Sequence, residues 1–220
     1  MLPRTLEPEV MDEQDEVDAY DKMDHSEVNS RFVTDLLARR DVSPTTRVLD
    51  LGTGTALIPI ELLSRQKCQV YAIDFSEPML ATGRKNVAAA GFENEITLAT
   101  GDATSLPLDD GSFDVAMSNT LAHHLPEPVG LFREATRLLK PGGLLFIRDL
   151  LRPETEAEVE RLVALHVTSG DPLHAQLLRQ SLHASMTLNE IKEMVQDLPL
   201  DDLHIEQTSD RHVTISGVRR

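Results

Sequence analysis

The stretch from Arg47 to Leu63, RVLDLGTGTALIPIELL, constrains the fold more than any other part of the chain. Val48, Leu49 and Leu51 form a short apolar run of strand type, and Asp50 sits at its end, where a carboxylate can face a ligand. Gly52 and Gly54 let the backbone turn sharply and leave out side chains that would block close approach. Ala56 to Leu63 is apolar enough to be a helix packed on a sheet. Strand, glycine turn and helix start in that order set free N–H groups and a helix N-terminus beside whatever binds there. Two common uses of such a turn fit poorly. A dinucleotide fingerprint needs a third glycine where this chain has Leu57, and a phosphate-cradling loop needs a Gly-Lys-Ser/Thr ending, but the stretch has no lysine.

The pattern then repeats. Val70 to Ile73 is a second apolar run, ended by Asp74; Ile96 to Ala99 a third, ended by Gly101-Asp102; Phe113 to Met117 a fourth, ended by Ser118-Asn119. Leu144 to Ile147 is a fifth, ended by Arg148-Asp149. Between them lie helical segments. One is capped by Ser76, carries Pro78 in its first turn and ends at Gly91; another opens at Pro128 and is broken by Pro141-Gly142-Gly143. Ahead of the first strand, Asp24 and Glu27 have the spacing of a capping box, and Val28, Phe32, Leu36 and Leu37 continue with helical spacing to about Arg40. Alternating strands and helices predict a parallel sheet with helices on both faces. The polar residues fall at the carboxyl ends of the strands, the edge that holds the ligand crevice in open α/β sheets.

The last third reads differently. Pro153 to about Thr168, Pro172 to Ser185 and Leu188 to Gln196 are expected as three helices, the last with a capping box at Thr187 and Glu190. Leu203 to Gln207 and His212 to Val218 alternate as two strands around a turn at Ser209-Asp210. A terminal hairpin added to five parallel strands predicts seven strands, one of them antiparallel.

At 220 residues the chain suits one α/β domain. A formal charge of −16 opposes nucleic-acid backbones and anionic membrane surfaces. The one cysteine, Cys68, excludes an intrachain disulfide or a thiolate metal cluster. The N-terminus is acidic (Glu7, Glu9, Asp12, Glu13, Asp15, Glu16) and reads as frayed to about residue 17, unlike a secretory signal or a transit peptide. No stretch approaches the ~20 apolar residues of a membrane span, so a cytoplasmic chain without integral membrane association is expected.

Asp50, Gly52, Gly54 and Ala56 spell acid-x-Gly-x-Gly-x-Gly/Ala. With GDATSLPLDDGSFD at 101–114 and LLKPGG at 138–143, this resembles the motifs of class I S-adenosylmethionine-dependent methyltransferases, in order and with compatible spacing over roughly residues 45–150. SNTLAHHLPEP at 118–128 and FIRDLLRP at 146–153 resemble the branch around the ubiquinone/menaquinone-biosynthesis C-methyltransferases. The resemblance implies a Rossmann-like α/β fold with a seven-stranded, mostly parallel sheet whose last strand is antiparallel. Residues 1–23 would be an acidic arm or lid, 24–150 the cofactor-binding core, 151–197 a helical cap between strands five and six, and 198–220 the terminal hairpin. It implies S-adenosyl-L-methionine as cofactor and methyl transfer to a small-molecule acceptor. A cofactor-binding regulatory or scaffold protein without turnover is the competing expectation, and a homodimer is kept as an expectation.

By the same resemblance, Asp50, Gly52, Thr53 and Gly54 would hold the methionine end, Asp74 the ribose, Asp102 and Ala103 the adenine, and Ser118, beside Asn119, the methionine amine through its backbone. The residues themselves leave alternatives. Asp74, 22 positions after Gly52, can accept from a ribose diol or serve a helix N-terminus. Phe75 and Met79 can pack on the adenine or in the core, and Asp102 can be a turn aspartate. His123 and His124 are candidate general bases near pH 7, or a turn residue and a solvated one. Arg148 and Asp149 can bind a polar substrate group or pair with each other, and Tyr20 can close over the site as a lid residue. His166, His174 and His183 lie in the cap helices without the i, i+4 pairing of a metal face, so no metal is expected. No Asn/Asp-Pro-Pro-aromatic stretch follows the fourth strand, which, with the acidic charge, argues against a nucleic-acid substrate.

Overall fold

The computed structural model of the chain describes residues 2–7, 14–167, 170 and 172–220. Glu9, Asp12 and Glu13 of the expected acidic run, and Thr168 at the end of the first expected cap helix, lie outside the described residues. Helix α1 spans Gln14–Asp21, where a frayed arm was the expectation, and α2 spans Ser26–Arg39. The capping box expected at Asp24 and Glu27 does not form. Asp24 Oδ1 instead accepts from the Ser26 N–H at 2.9 Å and its hydroxyl at 2.6 Å, a local turn that leaves His25 at the N-cap without a side-chain capping bond.

β1 (Arg47–Leu51), α3 (Leu57–Arg65), β2 (Gln69–Asp74), α4 (Glu77–Ala90), β3 (Ile96–Thr100) and β4 (Phe113–Asn119) follow in order. Ser76 Oγ accepts from the Met79 N–H at 3.3 Å, and Gly91 closes α4 at φ +75°, so both helix signals act as read. A short 3₁₀ turn, Ala122–His124, precedes α5 (Val129–Leu138). β5 (Leu139–Leu150) is much longer than the expected Leu144–Ile147. Pro141-Gly142-Gly143 does end the helix, but as part of a bulged strand that shifts register against β4 between Phe113 and Val115. A Cβ on Gly143 would lie 2.8 Å from the Lys140 carbonyl, so the bulge needs glycine there.

α6 (Glu156–His166), α7 (Pro172–Ala184) and α8 (Leu188–Val195) lead to β6 (Leu200–Gln207) and β7 (His212–Arg219). The strands form one sheet in the order β3-β2-β1-β4-β5-β7-β6, parallel throughout except that β7 is antiparallel to both neighbours. Side chains alternate across it. Val48, Met117 and Phe146 face one core with Phe32 and Leu36 of α2 and Leu62 of α3. Leu49, Ala116, Leu145 and Ile147 face the other with Phe132 of α5 and Ile191 and Val195 of α8. Of the three helices between β5 and β6, then, α8 belongs to the sheet's own layer. Only α6 and α7 share a separate small core, Val159, Leu162, Val163 and Leu182. No helix among the described residues is long and apolar enough to cross a membrane.

Candidate active site

The strand order reverses between β1 and β4, and the carboxyl ends of β2, β1, β4 and β5 therefore lie side by side along one crevice. At the glycine turn, three alternate residues take left-handed backbone angles: Gly52 at φ +74°, Gly54 at +56° and Ala56 at +63°. Ala56 thus holds the conformation of a third glycine at a cost of roughly 1 kcal/mol, with its methyl fully buried under α2 and α3. The Gly52 and Thr53 N–H groups both donate to the Ile73 carbonyl at 2.9 Å, tying the turn to β2.

Asp50 is 2% exposed, and its Oδ2 makes no well-formed hydrogen bond; neither does the buried Thr53 Oγ1. Burial, with the nearby Asp74 charge, pushes the Asp50 carboxyl up to about 7. The Thr53 hydroxyl lies beside the Asp50 carboxyl and partly offsets that rise, yet no well-formed bond joins them, so both can serve a ligand carrying donors and positive charge, as the amino acid end of S-adenosylmethionine does. Asp74 closes the other side. Its Oδ2 accepts from the Gly54 N–H at 2.7 Å and its Oδ1 from the Ser76 N–H at 2.9 Å. The Phe75 N–H bonds the same carboxylate, which still leaves one of its four acceptor sites, so the helix-terminus role and a ribose contact are compatible. Phe75 is 67% exposed, which removes the core-packing alternative and leaves its ring free at the crevice edge; Met79 is half-buried behind it.

Asp102 is exposed and makes the turn its alternative reading describes, with Oδ1 accepting from the Thr104 N–H and hydroxyl at 2.8 and 2.7 Å. Ala103 beside it is buried. The Ser118 hydroxyl donates to the Leu51 carbonyl at 2.7 Å and so staples β4 to β1. Asn119 is followed by Thr120 at φ +54°, an unfavourable angle for a β-branched residue, where the chain leaves the sheet towards the two histidines. Tyr20 lies near Asp74: burial and that charge both raise its phenol, and its ring centroid is 4.7 Å from that of His25.

Arg148 is not where the sequence suggested. Adjacent strand residues point to opposite faces, so Arg148 and Asp149 cannot pair. The guanidinium lies over Phe32 and Phe146, donates to Thr214 Oγ1 at 2.8 Å and meets Asp35 Oδ2 at 2.6 Å, on the α2 face away from the histidines. Asp149 points the other way and is fully buried. It accepts from His123 Nδ1 at 2.6 Å, the His123 N–H at 3.2 Å and the Leu150 N–H at 2.6 Å. Burial opposes its charge, but the His123 ring outweighs that and holds the carboxyl below its ordinary range. Burial likewise opposes a charged His123, and Asp149 with Glu7 outweighs it, so the imidazole is raised.

The 3₁₀ turn puts His123 inside and leaves His124 with its side chain 40% exposed, their ring centroids 4.1 Å apart. Two residues that sequence reasoning missed complete this wall. Glu7 Oε2 is 2.6 Å from His124 Nδ1, and Glu7 Oε1 accepts from the Ser181 hydroxyl at 2.6 Å. Arg4 donates to the carbonyls of His123, Leu125, Pro126 and Ala184, at 3.1, 2.8, 3.2 and 2.6 Å. The segment 2–7 therefore straps the histidine turn to α7. Nothing local signals this, because its partners lie more than a hundred positions away. In the cap, His166 pairs with Asp210 at 2.7 Å and His183 with Glu156 at 3.3 Å, so both are engaged with partly exposed carboxylates.

Comparison with known proteins bears on this site. A protein-family profile described as "Methyltransferase domain" matches residues 49–147. The demethylmenaquinone methyltransferase of Bacillus cytotoxicus is 28% identical over 178 residues, 76% of this chain and 74% of that protein. That of Geobacillus kaustophilus is 32% identical over 71% of this chain and 67% of its own length. The chain spans only about half of other demethylmenaquinone methyltransferases that it matches, 46% and 51% in two of them. Among solved structures, a putative S-adenosyl-L-methionine-dependent methyltransferase from Methanococcus maripaludis superposes with a TM-score of 0.76 over 98% of this chain and 97% of that one. At 18% identity that likeness is one of fold.

Proposed function

The chain belongs to the class I S-adenosylmethionine-dependent methyltransferases, and from that premise we propose that it transfers a methyl group by direct displacement to a small organic acceptor. The observation that carries the site assignment is the pair of buried atoms at the glycine turn that make no well-formed hydrogen bond, Asp50 Oδ2 and Thr53 Oγ1. Asp50 meets the cofactor's ammonium, with Thr53 and the Gly52–Gly54 backbone around the methionine end. Asp74 accepts from the ribose, Phe75 and Met79 flank the adenine, and Asp102 and the Ala103 N–H address its edge. Ser118 and Asn119 border the amine from β4.

Bound there, the cofactor supplies an activated methyl electrophile. The chain's own work is to align the acceptor in line with it, exclude water and manage any proton that the acceptor must lose. His123 and His124 stand at the acceptor side, with Tyr20 near Asp74 as the closing residue and Asp149 acting through His123. The names of the relatives point to quinone-type acceptors.

Calorimetry with S-adenosylmethionine on wild type and Asp74→Ala tests the cofactor site. Losing the ribose acceptor should weaken binding at least tenfold, the equivalent of about 1.4 kcal/mol. Equally tight binding in the variant would sink the assigned ribose contact. Labelled cofactor offered with a panel of small acceptors tests turnover, and binding without transfer to any of them would favour the scaffold reading.

A further inference from the structure

Glu7, His123 and His124 bring three ligand-type atoms to one point, all within 4.8 Å of one another. An ordinary ion pair between Glu7 and His124 accounts for only part of this arrangement. His123 Nδ1 lies 2.6 Å from Asp149 Oδ1, and a carboxylate can only accept, so the ring proton sits on Nδ1. The other ring nitrogen, Nε2, faces Glu7, and an ion bound there takes the place of its proton. A carboxylate behind one ring nitrogen is the arrangement that orients metal-binding histidines. His123 Nε2 and Glu7 Oε1 are 3.9 Å apart, too far for a hydrogen bond. Two ligands on one ion with bonds of about 2.0–2.1 Å at tetrahedral angles sit roughly 3.3 Å apart. The 2.6 Å contact between Glu7 Oε2 and His124 Nδ1 would open by about 0.7 Å to admit the ion.

The support extends outward. Ser181 donates to Glu7 and Arg4 holds the His123 carbonyl, so both buried ligands are anchored by groups that do not themselves ligate. Two carboxylates, Glu7 and Asp149, meet two imidazoles here, with Arg4 as the nearby cation. His124 is the ligand nearest solvent.

We propose that Glu7, His123 and His124 form a binding site for one divalent transition-metal ion of the zinc type. Two imidazoles and one carboxylate suit zinc, cobalt or nickel better than the all-oxygen shells of magnesium and calcium. Its role rests on the methyltransferase reading above: an acceptor oxygen or sulfur taking the ion's remaining position would release its proton to solvent at lower pH and react with the methyl group as the anion, with the histidines acting as ligands.

The test titrates chelator-treated protein with Co²⁺, read by visible absorption, and with Zn²⁺, read by calorimetry. One equivalent should bind, with the intense bands of low-coordinate cobalt. Glu7→Gln and His124→Ala, both at side chains with some solvent access, should each weaken binding at least tenfold, with thermal melts verifying that they fold. Asp149→Asn should weaken it by roughly 10–100-fold. S-adenosylmethionine titrations on the same samples report separately on the cofactor site. Cobalt binding lost in the variants with cofactor binding retained supports the ion site. Cofactor binding without stoichiometric cobalt in wild type, or cobalt binding equally tight in both variants, overturns it and leaves Glu7 and His124 as a hydrogen-bonded pair.

Discussion

Replacing Asp50 with asparagine should make the free protein more stable and the cofactor site worse. The Asp50 carboxyl titrates at about 7 in the folded chain against an ordinary value of 3.8, because burial and the neighbouring Asp74 charge disfavour its anion. Below pH 3.8 both folded and unfolded chains hold the proton, and Asp50 costs nothing. Between 3.8 and 7 the unfolded chain releases the proton while the folded one keeps it, so stability falls with rising pH. A gap of about three pH units at 1.36 kcal/mol each accumulates to about 4 kcal/mol, complete above pH 7. Asparagine does not titrate and avoids that loss. Setting about 1–2 kcal/mol against it for an amide with incomplete partners, Asp50→Asn should be about 2–3 kcal/mol more stable than wild type at pH 8. The advantage should shrink by about 2 kcal/mol at pH 5.5. The lost charge should weaken S-adenosylmethionine binding by about 1.5–3 kcal/mol, roughly ten- to a hundredfold. Urea unfolding at the two pH values and calorimetry at pH 8 read both effects. A variant less stable than wild type at pH 8, or one that binds the cofactor as tightly, would refute the reasoning.

Phe75→Ala should leave the melting temperature unchanged, since the ring is 67% exposed, while weakening cofactor affinity about fivefold or more through loss of stacking on the adenine; a stability loss above about 1 kcal/mol by denaturant titration would mean the ring packs in the core instead. Arg148→Leu should cost about 1–3 kcal/mol in urea unfolding, because Asp35 and Thr214 lose their partner, yet leave cofactor affinity within twofold by calorimetry; a large affinity loss with unchanged stability would return Arg148 to the binding site.

Much of this molecule is legible without coordinates, because its signals are local. Asp50, Asp74, Ser118 and Asp149 each end an apolar run, and runs of that kind in alternation with helices leave one sheet edge for them to share. Ser76, Gly91 and the Thr187–Glu190 box announce helix ends through bonds spanning three or four residues, and all three act as read. The failures are also local. Asp24 has the spacing of a cap but bonds the nearer Ser26, and the Pro-Gly-Gly run reads as a break although a bulge carries it within a strand.

What the sequence by itself determined is one edge of the sheet: strand, glycine turn and carboxylates at short fixed spacings, where backbone geometry alone places each group. What only the tertiary structure decided is the far wall of the crevice. The choice between Arg148 and Asp149 turned on which face of β5 each occupies, and that depends on the register of the whole sheet. Glu7 met His124, and Arg4 the carbonyls of the histidine turn, across more than a hundred residues of chain. Contacts at that separation leave no periodicity behind, because packing forms them after the local structure is made.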